Sequence, residues 1–161
     1  MDTRFESADE EVPYGPLDTL LRFDADLASR ALFPAVDPVY STSTVLEGAH
    51  LEAVHLTLQQ KARKLLRRYR ELRSLVRTRG FDRLPESDIV TYRRGERIEA
   101  YFSQPFYVAE PFTNRAGEWL TLQETMEGAR RIMEGAADDM EPAELQYIGR
   151  FAAAAGDSGD E

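Results

Sequence analysis

The sequence predicts a mainly α protein: an antiparallel helical bundle preceded by an extended, proline-containing segment. Three observations support this fold class. Apolar residues between Leu51 and Val76 recur every three or four positions, which is the spacing of one face of a long amphipathic helix. A capping box, Thr121-x-x-Glu124, opens another apolar run. The chain also lacks a pair of alternating apolar runs that would indicate a β-hairpin. Helices joined by short connections favour antiparallel packing.

The composition is that of one acidic globular domain. The chain has 161 residues, 20 Lys and Arg against 29 Asp and Glu, and 42% hydrophobic residues, which is enough to bury a core. It contains no cysteine, so neither a disulfide framework nor a thiolate metal site is expected, and the composition suits a reducing cytosol. No signal peptide and no membrane helix are expected from the pattern of apolar residues.

The first part of the chain carries little helical signal. Residues 1–16 are predicted to form an acidic, flexible arm because they combine acids, prolines and little apolar periodicity. Residues 17–46 are predicted to hold a short helix, Asp24–Ala31 with Asp24 as its cap, and an extended segment, Leu32–Thr44. Pro34 and Pro38 prevent that segment from continuing as helix.

Residues 47–150 are predicted to form the bundle, and 151–161 a disordered acidic tail. The long helix ends at Gly80, and a second helix opens at Pro85 and stops before Pro105. A third helix runs from Thr121 to Gly135, and a short last helix covers Pro142–Ile148. The stripe expected to face the core from the long helix is Leu51, Val54, Leu58, Ala62, Leu65, Tyr69, Leu72 and Val76.

Basic residues are concentrated in one stretch of the long helix. Residues 61–79 hold nine of the 20 basic residues and one acid, Glu71, for a local charge of +8, whereas the rest of the chain has 11 basic and 28 acidic residues, a charge of −17. Such an asymmetry is typical of an interaction surface or of a solvated helix face. Nucleic-acid binding is not favoured, because no docking fold or stacking aromatic accompanies the arginines.

Chemistry-bearing motifs are sparse. No glycine is followed by Lys, as a phosphate-binding loop requires. His50 and His55 are five residues apart and do not share a helix face as a metal pair would. Ser41-Thr42-Ser43 lacks an identifiable base, and Asp138 with Asp139 suits capping and solvation better than acid–base work. We therefore assign no catalytic and no metal-binding residue.

Two strings carry a family resemblance. The segments YFSQPFYVAEPFT, at 101–113, and LFPAVDPVYSTS, at 32–43, resemble the β subunit of the rotary F-type ATP synthases. The intervening DRLPESD, at 82–88, is similar to the acidic turn of that family. The likeness runs over about Leu32–Gly149 and corresponds to the helical C-terminal domain, without the nucleotide-binding core and the N-terminal barrel.

The resemblance implies specific site residues. Phe106 and Phe112 match aromatics that sandwich an adenine, and Phe33 stands where the family has Tyr at the same pocket. The turn that presses on the rotating central stalk corresponds to Asp82, Arg83, Leu84, Pro85, Glu86, Ser87 and Asp88. Arg83 and Ser87 replace acids of the family, and Thr44 replaces an arginine, which weakens the stalk and neighbour-subunit contacts that the family makes.

The resemblance also implies partners and a location. We expect α-like and central-stalk subunits as partners, weak binding of an adenine nucleotide (ATP or ADP), and no direct membrane insertion. The location would be cytoplasmic, peripheral to the membrane as part of the synthase complex. The chain would be a truncated, split or separated part of a β-like subunit that has no catalytic activity alone. The alternative is a stand-alone helical module that docks an acidic protein or nucleic acid through residues 61–79.

Overall fold

A computed structural model describes residues 17–44 and 53–151; the predictions for the arm 1–16, for 45–52 and for the tail 152–161 lie outside the described residues. The prediction of a mainly α protein is confirmed. The described elements are β1 (Thr19–Leu20), α1 (Ala25–Ser29), β2 (Thr42–Ser43), α2 (Ala53–Arg79), α3 (Glu86–Tyr101), α4 (Glu110–Thr113) and α5 (Leu122–Glu134), with 3₁₀ turns at Phe81–Arg83, Tyr107–Ala109 and Pro142–Leu145.

The segment before the bundle folds back on itself. Asp24 caps α1 as predicted, because its carboxylate accepts the backbone N–H groups of Asp26 and Leu27 at 2.7 and 3.3 Å. The extended stretch then returns, and β2 pairs antiparallel with β1, with Leu20 opposite Thr42. This strand pair was not predicted, because two residues per strand are too few to show alternation.

Helices α2 and α3 form a closely packed hairpin. Gly80 ends α2 with a φ of 88°, which glycine adopts without the steric cost of a side chain. Further along, a Cβ placed on Gly95 of α3 would lie 2.3 Å from Cβ of Tyr69 on α2. Gly95, in the middle of α3, therefore lets the two backbones approach.

The core lies between α2, α3 and α5, but one part of the predicted stripe is wrong. Leu66, not Leu65, is fully buried, and Val54 is 64% exposed. Ala62, Tyr69 and Leu72 of the stripe are buried as predicted. Helix α2 therefore keeps its predicted face, and the packing of α3 and α5 determines only which of two adjacent leucines is fully buried. The main cluster consists of Val39, Leu66, Ile98, Ala100, Tyr101, Ala129, Ile132, Ala137, Leu145 and Phe151.

The chain after α5 is held by α3 rather than by a helix of its own. The predicted helix Pro142–Ile148 is wrong beyond Leu145: the structure has a 3₁₀ turn, and Tyr147 has a φ of 58°. The buried Arg97 donates to the carbonyl oxygens of Asp138 and Met140 at 2.7 and 2.8 Å. Phe151, which the sequence placed in the tail, lies in the core. None of the helices in the described residues is long and apolar enough to cross a membrane.

Candidate functional site: an aromatic surface and an exposed turn

The backbone of Phe33 is fixed between two other parts of the chain. The amide of Phe33 donates to the hydroxyl of Tyr147 at 3.0 Å, and its carbonyl accepts the N–H of Gln104 at 3.1 Å. The half-buried ring packs on a small apolar cluster of Leu27, Leu32 and Ala35. Phe33 is therefore held beside the stretch that leads from α3 to Phe106.

Phe106 and Phe112 lie in that following stretch but differ in exposure. Phe106 is half-buried and extended, just before the 3₁₀ turn Tyr107–Ala109. Phe112, on α4, is 86% exposed. Of the three residues predicted for an adenine pocket, Phe33 is hydrogen-bonded to Gln104, two residues before Phe106, whereas Phe112 lies on an open surface.

A loop folds over this stretch and adds exposed apolar side chains that the sequence did not single out. The N–H of Gly117 donates to the Glu110 carboxylate at 2.7 Å, and the N–H of Glu118 donates to the carbonyl of Pro105 at 2.8 Å. Exposed aromatic groups in one region are typical of a binding surface. We call this set the aromatic surface: Tyr107, Val108, Phe112, Trp119 and Leu122.

The predicted stalk-contacting residues form the tip of the α2–α3 hairpin. The turn holds the 3₁₀ stretch Phe81–Arg83 and the first turn of α3, and we call residues 82–88 the lever turn. At its base the ring of Tyr92 meets the rings of Phe81 and Tyr69 edge-on, at 5.5 and 5.3 Å, which fixes the turn. The residues that solvent reaches are Asp82, Arg83, Pro85, Glu86 and Ser87, with Leu84 and Asp88 half-buried.

Much of the basic stretch 61–79 is already paired within the chain. Arg70 contacts Asp37 at 2.9 Å, and Arg73 contacts Asp26 at 2.5 Å. Burial alone raises the pKa of Asp37, but the hydrogen bonds from Arg70 and from backbone amides lower it overall. Within the described residues, the exposed cations Lys61, Lys64 and Arg67 are left without a partner.

The other candidate groups of the sequence have ordinary surroundings. Ser41 accepts the backbone N–H of Arg22 at 3.1 Å, and Asp138 pairs with Arg94 at 2.6 Å. His55 lines a groove of about 830 Å³ between α2 and α5, and His50 lies outside the described residues. Across 17–44 and 53–151, no three His, Asp or Glu side chains are grouped so that they could hold a metal ion.

Comparison with known families identifies the bundle. A family model described as the C-terminal domain of V and A type ATP synthase matches residues 47–141. The chain belongs to this family. The match spans α2, the lever turn, α3, the aromatic surface and α5, so this helical bundle is a rotary ATP synthase C-terminal domain. Phe33 and the two short strands lie before the matched residues.

Proposed function

We propose that the chain acts as the C-terminal domain of a β-like, nucleotide-contacting subunit of a rotary ATPase, of the F-type β kind. Its aromatic residues would contact the adenine, and its lever turn would contact the central stalk. The observation that supports this most is the exposed lever turn at the tip of a rigid hairpin. Phe33 and Phe106 are connected to the same bundle through Gln104.

The chain alone should not hydrolyse ATP. Stacking on aromatic rings positions a base, but it does not stabilise the charge of a transferring phosphoryl group. No glycine in the sequence precedes a lysine as in a phosphate loop. Any hydrolysis would therefore need residues of other subunits or domains.

Nucleotide contact can be tested with Phe112→Ala and Phe106→Ala. Stacking contributes about 1–3 kcal/mol per base, so each substitution should weaken ATP binding about tenfold, measured by calorimetry or by the fluorescence of the single Trp119. Phe112 is 86% exposed, so its loss should leave stability unchanged. Phe23→Ala, at a residue 77% exposed outside the aromatic surface, is the matched control. Equal affinity in all variants would refute the adenine role.

Stalk contact can be tested by charge reversal on the lever turn. Asp82→Lys and Glu86→Lys change exposed acids, so binding to a reconstituted central-stalk subunit should fall. Asp139→Lys, an exposed acid far along the chain after α5, should have no effect. If the Asp139 variant lost as much binding as the other two, the contact would be nonspecific electrostatics.

The alternative function, docking of an acidic protein or nucleic acid by residues 61–79, is supported by the exposed cations Lys61, Lys64 and Arg67. Counterion release makes such binding salt-dependent. Neutralising these residues should flatten the dependence of binding on salt, while nucleotide binding stays unchanged. If binding does not change with salt concentration, this alternative function is ruled out.

A further inference from the structure

The segment before the bundle is attached to it by a ring of ion pairs. Asp26 of α1 accepts from Arg73 of α2 at 2.5 Å and pairs with Arg30 at 2.9 Å. Glu99 of α3 pairs with Arg30 at 2.8 Å and with Arg73 at 3.5 Å. Each arginine thus bridges both carboxylates, and three elements meet in one ring.

The Glu99 side chain is only 3% exposed. A buried carboxylate loses its hydration and needs charged partners that stay in place. Its partners come from two different parts of the chain, Arg30 after α1 and Arg73 on α2. Separation of the first segment from the bundle would remove one of them, so the ring favours the attached state.

A second pair reinforces the ring from the same face of α2. Arg70 lies three residues before Arg73, so both project from one side of the helix. Arg70 contacts Asp37 at 2.9 Å and Asp24 at 3.6 Å. Asp37 is itself ordered, because it accepts the backbone N–H groups of Val39 and Tyr40 at 2.8 and 3.2 Å.

Helix α2 also carries a pair that leads to the lever turn. Arg68 contacts Asp88, the last residue of that turn, at 2.9 Å. The apolar cluster of the first segment, formed by Leu27, Leu32 and Ala35, is separate from the main core, which only Val39 joins. Polar contacts therefore supply much of the attachment between residues 17–44 and the bundle.

We propose that Arg70 and Arg73 form a clamp that holds residues 17–44 and the bundle together as one body. Arg73 is a positioning residue in this device. The clamp does not depend on the proposed function. Three of the nine basic residues of the stretch, Arg70, Arg73 and Arg77, then pair with acids of residues 17–44.

The clamp can be tested by hydrogen exchange on the full chain, without nucleotide or partner. Arg73→Gln should raise the exchange of amides in residues 17–44 about tenfold or more, with α2 and α3 amides unchanged. Arg73→Lys, which keeps one charge, should restore part of the protection. Arg67→Gln, which neutralises an exposed cation that has no partner in the described residues, is the matched control and should exchange like the wild type.

A double-mutant cycle separates the clamp from general destabilisation. Asp26→Asn combined with Arg73→Gln should cost less than the sum of the two single changes, because both remove the shared Asp26–Arg73 pair. Additive effects, or wild-type exchange in residues 17–44 of Arg73→Gln, would overturn the proposal. If Arg73→Gln does not fold, Asp26→Asn alone gives the answer, since the Asp26 side chain is 37% exposed. Failure of ATP binding in the wild type would refute the proposed function but leave this result intact.

Discussion

Replacing Gly95 by alanine tests how closely α2 and α3 must approach. Alanine stabilises a helix by about 1 kcal/mol relative to glycine. The new Cβ, however, would lie 2.3 Å from Cβ and 2.7 Å from Cγ of Tyr69, far inside the usual carbon contact of about 3.5–4.0 Å. Overpacking of this kind costs about 1–3 kcal/mol. Tyr69 is 1% exposed, and rotation of its side chain cannot move the Cβ atom that clashes. We therefore take the upper value of the cost and expect a net loss of about 2 kcal/mol.

Thermal unfolding followed by circular dichroism measures this loss. At this chain length about 2 kcal/mol lowers Tm by about 4–8 °C. Ser74→Ala, at an exposed position of α2, is the control for helix propensity and should leave Tm nearly unchanged. A Gly95→Ala protein with an unchanged or raised Tm would show that the two helices separate at little cost, and the argument that the hairpin is rigid would then fail.

Three further predictions concern the polar contacts. Arg97→Gln should lower the free energy of unfolding, measured by urea denaturation, by about 2–3 kcal/mol, because two carbonyl oxygens lose their buried guanidinium donor. Arg93→Gln, at an exposed position, is the control. An effect of Arg97→Gln no larger than that of the control would contradict the prediction. The lowered pKa of Asp37 stabilises the fold above its unfolded pKa of about 3.9, and that stability is lost as pH falls through the lower folded pKa. The stability advantage of wild type over Asp37→Asn should therefore begin to shrink below about pH 4 and disappear once the pH is below the folded pKa of Asp37. A difference in stability that does not change with pH would contradict this prediction. Thr121→Ala removes the capping box of α5 and should cost about 1 kcal/mol by the same urea assay, a result that Thr125→Ala, inside the helix, should not reproduce.

Local signals predicted most of the helices. Asp24 and the Thr121 capping box act within a few residues, so the starts of α1 and α5 follow from sequence alone, whereas α1 ends at Ser29, before the predicted Ala31. The choice between Leu65 and Leu66 depends on where α3 and α5 pack, which no local pattern specifies. The sequence does not show that Tyr69 lies opposite Gly95. Without that knowledge, Gly95 could not be recognised as the point where the two helices approach.

The candidate site was predictable in part for a similar reason. The lever turn and the three phenylalanines were found from the family strings. The ion pairs of Arg70 and Arg73 join residues far apart in the chain, and charge patterning alone could not tell an internal pair from a docking surface. The exposure of Trp119 follows from the fold of its loop over the Phe106 stretch, which no motif marks.

The hydroxyl of Tyr147 has a consequence for synthesis of the chain. It accepts from the amide of Phe33 and donates to the carbonyl of Ala31, so the surroundings of an early residue are completed by one near the end of the described residues. During translation, Phe33 leaves the ribosome long before Tyr147 does. The backbone amide of Phe33 then lacks its Tyr147 partner while the helices form, and pairings between distant parts of a chain form slowly. A contact that forms late stabilises mainly the folded state, so Tyr147→Phe should speed unfolding more than it slows folding.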